Sequence, residues 1–546
     1  MKWRSLFIIA GVVFAGLISG CSGSDQKGMT PVTVTVGGGK TAQKALYRSA
    51  LHSKATPTVA TITFTITGPG MDPIVRVVPI TPPQTITEVF SVLNGPSRNF
   101  LIEAKDGSGT PIYSGSMLAN LDGQPITLTL PLQTMIFNRL IWSPWGDEAT
   151  AIARDANGDI IIVGHTYGDL EGNVNADPAH GTTDVFVSRI TSTGARIWTR
   201  QFGTTGFDIC YSVATSTSTG DIYLAGSTAG ALNGASLSGL GPINAFVTKL
   251  SSTGVHLWTS LTGTTGADTF GNAVAIDSAG NAYAAGDTTG DLAGANQGLF
   301  DLFLAKYDAS GSSLWTRQAG TAGDDFGEAI AFDLSGASVV VAGSTRGDLD
   351  GTGPGIYAGL TDITLIKYDA SGNNPLTQQI GTADDDSAWA VTVDPSGSVY
   401  VAGSTSGDLD GAGPGVYAGL SDFFVGKFDV SLAPLWIRQI GTPGNDVARA
   451  IAFDPSAGII ATGKTSGDME GAGSDGFDDS VTVRYDVNGN SPWVRQYGTR
   501  ANDEGVGVAT DGSGNIWVGG NTFGGFTSSA TEDLFLLLFN SVGVKL

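Results

Sequence analysis

The stretch EAIAFD at residues 328–333 begins a unit of four short segments that decides the fold. SVVVAGST (338–345), DITLIKYD (362–369) and PLTQQIG (375–381) complete this unit, and turn-forming residues separate the segments. Apolar and β-branched residues in runs of this length, bounded by glycine and proline, predict β-strands. Four strands per unit is the size of a propeller blade.

The unit recurs along the C-terminal three-quarters of the chain. Its first strand type occurs seven times, from 149–155 to 506–511, and its third type also occurs seven times, the last at 534–540. A Gly-Thr pair precedes six of the units at intervals of 57 to 61 residues, at Gly203, Gly263, Gly320, Gly381, Gly441 and Gly498. The repeats therefore predict an all-β fold: a seven-bladed β-propeller with four-stranded blades over residues 135–546.

The seventh unit lacks the fourth strand type, which carries a tryptophan in most copies. A matching segment, Asn138 to Trp142, stands in front of the first complete unit. We expect this N-terminal strand to close the last blade, because an open array would leave unpaired sheet edges at both ends.

Two stretches resemble a known repeat. They are DPSGSVYVAGSTSGDLDG (Asp394 to Gly411) and KYDASGSSLWTRQAGT (Lys306 to Thr321). Over residues 137–546 the units resemble the β-propeller repeat of bacterial surface proteins that is called SBBP. The resemblance implies the propeller fold but no activity, because propellers host many functions.

The N-terminus has the pattern of an export signal. Lys2 and Arg4 precede an apolar run at 6–18 that is too short to span a bilayer. The run leads into Cys21 and resembles the lipobox of bacterial lipoproteins. The resemblance implies cleavage before Cys21, diacylation of that cysteine and, because Ser22 follows it, sorting to the outer membrane.

Three segments are thus expected before the propeller. Residues 1–20 form a lipoprotein signal peptide, and residues 21–56, rich in Gly, Ser and Thr, form a flexible tether. Residues 57–134 contain alternating runs such as ATITFTIT (60–67) and predict a small β-sandwich-like domain. This domain is similar to Ig-like or transthyretin-like modules.

Charge and cysteine content limit the partners. The formal net charge of -23 disfavours binding to phosphate backbones, so we expect no nucleic-acid partner. Cys210 is the second of two cysteines, so no intrachain disulfide is expected once Cys21 carries lipid. We expect a monomer that is held at the membrane through that lipid.

Aspartates recur on one predicted face of the disc. One lies in each loop that enters the first strand of a unit, and these are Asp147, Asp208, Asp268, Asp325, Asp386, Asp446 and Asp503. With Tyr357 and Tyr417 they define a predicted ligand face. The two tyrosines lie in near-identical loops of adjacent blades, which either stacking on a sugar or peptide or a recent blade duplication explains. We expect repulsion among these carboxylates to raise some of their pKa values.

Two interpretations of the acidic loops stay open. Aspartate side chains stabilise turns by accepting hydrogen bonds from nearby backbone N–H groups. Alternatively, carboxylate-rich loops bind calcium, which takes six to eight oxygen ligands. The best calcium candidates lie in the two GDLDG motifs and are Asp348, Asp350, Asp408 and Asp410.

A unique site is expected where the repeats break their pattern. The breaks lie in the first two units, where His165 and His180 flank a longer loop and Cys210 and Asn244 depart from the consensus. The two histidines and Asp177 suggest either a transition-metal site or exposed loop residues. Their spacing matches no common zinc motif.

Catalysis is not expected. The stretch YDASGSSLW is similar to the docking motif of quinoprotein dehydrogenases and to the Asp-box of sialidases, but the vicinal cysteines and the arginine triad of those enzymes are missing. The favoured hypothesis is a lipid-anchored envelope protein whose acidic loop face binds a protein, glycan or cation. The alternatives are a propeller enzyme, quinoprotein-like or glycan-active, and an envelope-assembly helper that binds outer-membrane proteins.

Overall fold

A computed structural model places most of the propeller and the strands of a smaller N-terminal unit. It describes residues 29–36, 61–67, 74–79, 86–93, 95–105, 111–121, 126–127, 133–134, 143, 145–170, 173–192, 196–333, 338–351, 360–411, 419–471, 477–490, 492–498, 501–523 and 533–543. Several predicted features lie outside these residues, namely the signal peptide, Cys21, Tyr357, Tyr417 and the closing strand at 138–142.

The chain divides into two compact units between Phe137 and Asn138. The described elements of the first unit are eight strands: β1 Met29–Val36, β2 Thr61–Thr67, β3 Ile74–Pro79, β4 Ile86–Leu93, β5 Gly95–Lys105, β6 Pro111–Leu121, β7 Ile126–Thr127 and β8 Gln133–Thr134. They form a three-stranded sheet in the order β4-β1-β7 and a five-stranded sheet in the order β3-β2-β5-β6-β8. Phe64 and Ile66 alternate with polar residues along β2 and are buried, as the ATITFTIT pattern predicts.

The N-terminal boundary of this unit differs from the prediction. Strand β1 (Met29–Val36) lies inside the range predicted as a tether, and it pairs antiparallel with β4 from Met29↔Leu93 to Val36↔Ile86. Val32, Val34 and Val36 alternate with threonine or proline, which is the period of a strand. The prediction of one tether over residues 21–56 was therefore wrong for these eight residues.

The second unit is the predicted propeller. The strands of each blade are given from inner to outer. Blade 1 contains Asp147–Arg154, Ile160–Thr166, Asp184–Ile190 and Arg196–Phe202. Blade 2 contains Asp208–Thr215, Ile222–Thr228, Asn244–Leu250 and His256–Thr262, and blade 3 contains Thr269–Ile276, Ala282–Thr288, Asp301–Tyr307 and Ser313–Ala319. Blade 4 contains Asp325–Phe332, Ser338–Thr345, Asp362–Asp369 and Leu376–Ile380. Blade 5 contains Asp386–Val393, Val399–Thr405, Asp422–Phe428 and Pro434–Ile440, and blade 6 contains Asp446–Asp454, Gly458–Thr465, Asp479–Tyr485 and Trp493–Tyr497. The described strands of blade 7 are Asp503–Thr510, Ile516–Thr522 and Asp533–Phe539.

The blades form a closed ring. Each inner strand contacts the inner strands of both neighbouring blades, and the inner strand of blade 7 contacts that of blade 1. At this last junction the Asn521 side chain accepts a hydrogen bond from the Ala149 N–H and donates one to the Ala149 carbonyl, both at 2.9 Å. The Trp517 indole N–H donates to the Ser192 carbonyl at 3.1 Å. The predicted seven-bladed closed disc is confirmed.

Apolar packing between blades holds the ring together. Second and third strands are almost completely buried, since both faces of each sheet are covered by the neighbouring sheets. Between blades 1 and 2, for example, Val163 and Val187 pack with Leu224 and Phe246. Within the described ranges, the helical structure of the propeller is one short 3-10 turn, Leu232–Gly234, and no helix is long and apolar enough to cross a membrane.

The two faces of the disc differ. At one face, which we call the loop face, the inner and third strands begin and the second strands end. The opposite face, the turn face, carries tight turns such as Asp155–Asp159 and Asp308–Ser312, in which an aspartate oxygen accepts two backbone N–H groups. Loop length varies on the loop face, where ligands are therefore expected.

Candidate functional site

The first repeated aspartate of each unit is a structural residue. In blade 2, Asp208 is completely buried, and its Oδ2 accepts hydrogen bonds from the Thr204 N–H at 2.5 Å and the Thr204 hydroxyl at 2.9 Å. Its Oδ1 accepts one from the Thr228 hydroxyl at the end of the second strand. The carboxylate thus joins the loop to both strands, and the equivalent buried residues are Asp147, Asp325, Asp386, Asp446 and Asp503.

These six carboxylates do not form the predicted ligand face. A completely buried side chain with its oxygens occupied inside the loop cannot contact a ligand at the surface. Burial is the largest cause that raises the pKa of Asp208, and hydrogen bonds from Thr228 and Thr204 oppose it. The predicted rise in pKa is therefore present at this position, but its main cause is loss of water, and repulsion from Asp184 contributes less.

Blade 3 departs from the predicted pattern. Thr269, not Asp268, begins its inner strand and pairs with Thr288, as Asp208 pairs with Thr228 in blade 2. The Thr269 and Thr288 hydroxyls are 2.9 Å apart and share a hydrogen bond. The loop contains one residue more, so counting five positions from Gly263 selected the wrong side chain.

A second repeated aspartate explains why a glycine stands in the Gly-Thr pair before six of the units. In blade 1, Asp184 begins the third strand, and its Oδ2 accepts a hydrogen bond from the Gln201 side chain at 3.1 Å. A β-carbon on Gly203 would lie 2.0 Å from Asp184 Oδ1, so only glycine fits there. In blade 2, Asn244 takes the aspartate's place and its Oδ1 would lie 2.3 Å from a β-carbon on Gly263. Asn244 is thus a variant of the same structural device.

The calcium candidates lie at the outer edge of the loop face. Asp348 and Asp408 are exposed, whereas Asp350 and Asp410 each accept a hydrogen bond at 3.3 Å from a backbone N–H of the outer strand. Among the described residues, no three His, Cys, Asp or Glu side chains are grouped so that they could hold a metal ion.

The two histidines of blade 1 occupy different environments. His180 Nδ1 lies 2.8 Å from the Tyr167 carbonyl oxygen, and its ring stacks on Trp145 at 4.9 Å. Asp177 accepts hydrogen bonds from the Ala179 and Gly181 N–H groups of the same loop. His165 instead lies on the second strand, where burial lowers its pKa to about 4 and its Nε2 is 3.5 Å from Glu148 Oε2. The predicted set of His165, His180 and Asp177 therefore has no common partner.

The side chains that do break the repeat lie at the central channel. Every inner strand has a β-bulge at the third residue after its start, where two residues face one on the second strand. A bulge redirects a side chain out of the regular alternation. The bulged residues are all half-buried and all different: Thr150, Tyr211, Asn272, Glu328, Trp389, Arg449 and Val506.

Contacts link these residues across blades. Arg449 Nε donates to Glu504 Oε1 at 2.6 Å, and its guanidinium carbon lies 5.0 Å from the centre of the Trp389 ring. The Asn272 side-chain amide donates to Asp287 Oδ1 at 2.7 Å and to the Gly327 carbonyl of the next blade at 3.2 Å. We call the seven bulged residues together with Glu148, His165, Asp287 and Glu504 the channel site.

The channel site contains carboxyl groups with raised pKa values. Burial, and then the charge of Glu328, raise the pKa of Asp287 to about 8 against the hydrogen bond from Asn272. Burial raises the pKa of Glu328 to about 7, and Arg449 opposes this rise. Burial and then Glu504 raise the pKa of Glu148. These mutual effects link side chains from five blades, namely blades 1, 3, 4, 6 and 7.

The site can accept a polar ligand and exchange protons with it. It offers carboxyl groups, the Arg449 guanidinium next to Trp389, and Tyr211, whose pKa is raised by burial and then by carboxylates that include Glu148 and Glu328. The sequence prediction placed the pattern breaks in the first two units and missed this ring. The signal was present: the third position after each inner-strand start differs in all seven units, whereas the position before it is a small residue, Ala, Gly or Cys.

The fold and this site define a β-propeller assembled from sequence repeats with a non-repeating channel. A family model described as SBBP, beta-propeller repeat, matches residues 257–293, 377–410 and 493–527. These stretches lie in blades 2 to 3, 4 to 5 and 6 to 7, so the predicted resemblance is confirmed at the level of the repeat.

Two curated relatives are distant. The chain is 27% identical over 255 residues to the regulatory protein FlaEY of Caulobacter vibrioides, covering 42% of this chain and 27% of that protein. It is 25% identical over 195 residues to a WD-repeat-containing protein of Acanthamoeba polyphaga mimivirus, covering 30% and 14%. The chain thus spans about a quarter or less of the length of these relatives.

Solved structures show distant likeness. A chain of Kuenenia stuttgartiensis hydrazine synthase matches with a TM-score of 0.43 at 10% identity, covering 71% of this chain and 96% of that one. Sqt1 from Chaetomium thermophilum matches with a TM-score of 0.38 at 12% identity, covering 73% and 98%.

Proposed function

We propose that the protein is a lipid-anchored envelope protein that binds a polar ligand in the channel site. The observation that supports this proposal is the ring of seven different bulged residues. Positions that maintain the blade are the same in nearly every unit, as the buried aspartates show, whereas this position differs in every unit. Thr150 and Val506 make contacts between blades, so the proposal rests on the polar and aromatic members of the ring.

The geometry favours recognition over a structural ion-pair network. Arg449 uses Nε for Glu504 and stacks on Trp389, and among the described residues its two terminal nitrogens have no hydrogen-bond partner. Among the described contacts, Glu328 has no hydrogen bond, although burial raises its pKa to about 7. A ligand with both donor and acceptor groups would supply hydrogen-bond partners for Arg449 and Glu328.

The test is ligand-induced stabilisation. Purified protein is heated with panels of sugars, amino acids and short peptides, and the shift in melting temperature is recorded for the wild type and Arg449→Ala. A ligand that stabilises only the wild type supports the channel site. The matched control is Arg317→Ala, because Arg317 also stacks on a tryptophan, Trp315, but on the outer strand. A ligand whose effect is lost in the control and kept in Arg449→Ala would contradict the proposal.

Acid–base catalysis is the second candidate. It is favoured because the pKa values of Glu328 and Asp287 are about 7 and about 8. A carboxyl group whose pKa is near neutral pH can both donate and accept a proton there. Turnover of any panel compound that disappears in Glu328→Gln but persists in Arg317→Ala would make the protein an enzyme. We expect binding without turnover.

The membrane anchor is tested separately. Replacement of Cys21 by serine should abolish metabolic labelling with palmitate and release the protein from the membrane fraction. Labelling that persists in Cys21→Ser would contradict the proposed lipoprotein. Separation of inner and outer membranes on a density gradient then tests the outer-membrane location.

A further inference from the structure

A ring of exposed apolar side chains lies on the loop face. Among the described residues, every blade has at least one large apolar side chain there that is about half exposed or more. In blade order these are Trp145 (47% exposed), Phe207 (50%), Leu299 (66%), Leu360 (66%), Leu420 (68%), Phe477 (76%) and Phe523 (49%). We call them the apolar crown.

Four of the seven crown residues occupy one position of the repeat, and three do not. Two residues before a third strand stand Leu299, Leu360, Leu420 and Phe477, whereas Trp145 and Phe207 precede inner strands and Phe523 follows a second strand. Single exposed apolar residues are common on protein surfaces. One on the same face of all seven blades, from more than one loop position, is a patterned surface, and large exposed apolar surfaces mark interaction sites.

The loops that carry the crown are held in place. The Leu299 N–H donates to the Gly323 carbonyl of the next blade at 3.3 Å, and the Leu420 N–H donates to the Gly444 carbonyl at 3.2 Å. A β-carbon on Gly298 would lie 2.3 Å from Gly323 O, so the chain crosses the blade junction in close contact. The loops of Leu299 and Leu420 are therefore fixed by hydrogen bonds, and they need little ordering when a partner binds.

The charge around the crown selects the partner. Exposed aspartates on the same face stand in the loops after the second strands, and they are Asp169, Asp291, Asp348, Asp408 and Asp468. Among the described cations of this face, Arg346 is paired with Asp324 at 2.7 Å and Lys464 with Asp478 at 2.9 Å. The face thus combines apolar contacts with an excess of negative charge.

We infer that the apolar crown docks a protein segment in which apolar residues are flanked by lysine or arginine. The acidic surroundings would repel anionic lipid headgroups and acidic partners, and they would attract basic ones. This inference deepens the proposed binding function by naming a macromolecular partner class, whereas the channel site takes the polar ligand.

The experiment uses the full chain and three designed peptides of equal length. One alternates leucine and lysine, one leucine and glutamate, and one serine and lysine. Binding is measured by fluorescence anisotropy with wild type and with the fourfold variant Leu299→Ser, Leu360→Ser, Leu420→Ser and Phe477→Ser. The control variant replaces four outer-strand residues of similar type by serine: Ile197, Leu257, Leu314 and Leu435, which are 47% to 55% exposed.

We expect the leucine–lysine peptide to bind wild type and the control variant alike, and to bind the crown variant about tenfold more weakly or worse. Equal binding of the leucine–glutamate peptide, equal binding of the serine–lysine peptide, or equal loss in the control variant would overturn the inference. Binding to anionic vesicles that the crown variant loses would also overturn it, because the occupant would then be a membrane.

Arg449→Ala separates this inference from the proposed function. Peptide binding that survives in Arg449→Ala supports the crown whether or not a channel ligand is found. Peptide binding that is lost in Arg449→Ala and kept in the crown variant would place the contact in the channel and overturn the inference.

Discussion

At the rim of the disc, a tryptophan of one blade packs on a glycine of the next, and one pair of blades has two leucines instead. In blade 3 the ring of Trp315 covers Gly372 in the turn of the next blade, and a β-carbon there would lie 3.0 Å from the indole. Blade 4 has Leu376 in place of the tryptophan, and the next turn, in blade 5, has Leu432 in place of the glycine. Leu432 is completely buried and has a φ of 62°, a conformation that usually requires glycine. Its side chain takes the volume that an indole fills elsewhere.

This exchange predicts coupled energetics. Leu432→Gly should relieve about 1 kcal/mol of backbone strain but lose about 3 kcal/mol of buried side chain, for a net loss of about 2 kcal/mol. The double variant Leu376→Trp with Leu432→Gly should recover most of this loss. Urea unfolding measures both free energies, and costs that simply add in the double variant would show that the two positions are independent.

The buried aspartates give a second prediction at this scale. Asp386 accepts hydrogen bonds from the Thr382 N–H, the Thr382 hydroxyl and the Thr405 hydroxyl. Asp386→Ala leaves these buried donors without an acceptor, so it should lower the free energy of unfolding by about 3 kcal/mol. Asp268→Ala is the control and should cost less than about 1 kcal/mol, since Asp268 is only half-buried and Thr269 holds its loop. Similar costs for the two variants would contradict the structural role.

At the scale of the element, the sequence shows the strands but not what a bulge does to them. Runs such as DITLIKYD predicted the third strands, because both of their faces are apolar. Counting could not reveal that the loop of blade 3 has one extra residue, since Asp268 lies at the predicted distance from Gly263. Nor could alternation locate the channel site, because the bulge redirects Glu328 and Arg449 out of the regular alternation. Comparison of all seven units at one position was the missing step.

The bulged strands predict a pH dependence of stability. In the folded protein Asp287 and Glu328 keep their protons up to about pH 8 and about pH 7, whereas in the unfolded chain they lose them near their ordinary pKa values of 3.8 and 4.5. The folded state therefore binds more protons than the unfolded state between about pH 5 and 8, and stability falls as pH rises through this range.

Denaturant unfolding from pH 5 to 8.5 measures this fall. The double variant Asp287→Asn with Glu328→Gln should flatten the curve. Asp308→Asn should leave it unchanged, because hydrogen bonds from Ser310 and Ser312 lower the pKa of Asp308 and it titrates below this range. A wild-type curve that rises between pH 5 and 8 would show that other groups dominate.

For the whole molecule, the described strands of blades 7 and 1 come from opposite ends of the propeller. Contacts such as those of Asn521 with Ala149 hold these strands together. The repeat count predicted this closure, since seven copies of two strand types leave one strand to be supplied from the front. An array that opens at one junction loses the nearest-neighbour packing of both end blades.

Asn521→Ala should therefore cost more than the matching change elsewhere in the ring. At the same position of blade 2, Ser227 accepts a hydrogen bond from the Gly271 N–H of blade 3 at 3.4 Å. Ser227→Ala removes one long hydrogen bond between blades that remain linked by the chain, and it should cost under about 1 kcal/mol. Asn521→Ala leaves both the N–H and the carbonyl of buried Ala149 without their partner between blades 7 and 1, so it should cost about 2 to 3 kcal/mol. Denaturant unfolding should also show a smaller m-value for Asn521→Ala if the ring opens before the blades unfold. Equal costs and equal m-values for the two variants would mean that the closing junction is no weaker than the rest, and that closure rests on contacts other than these.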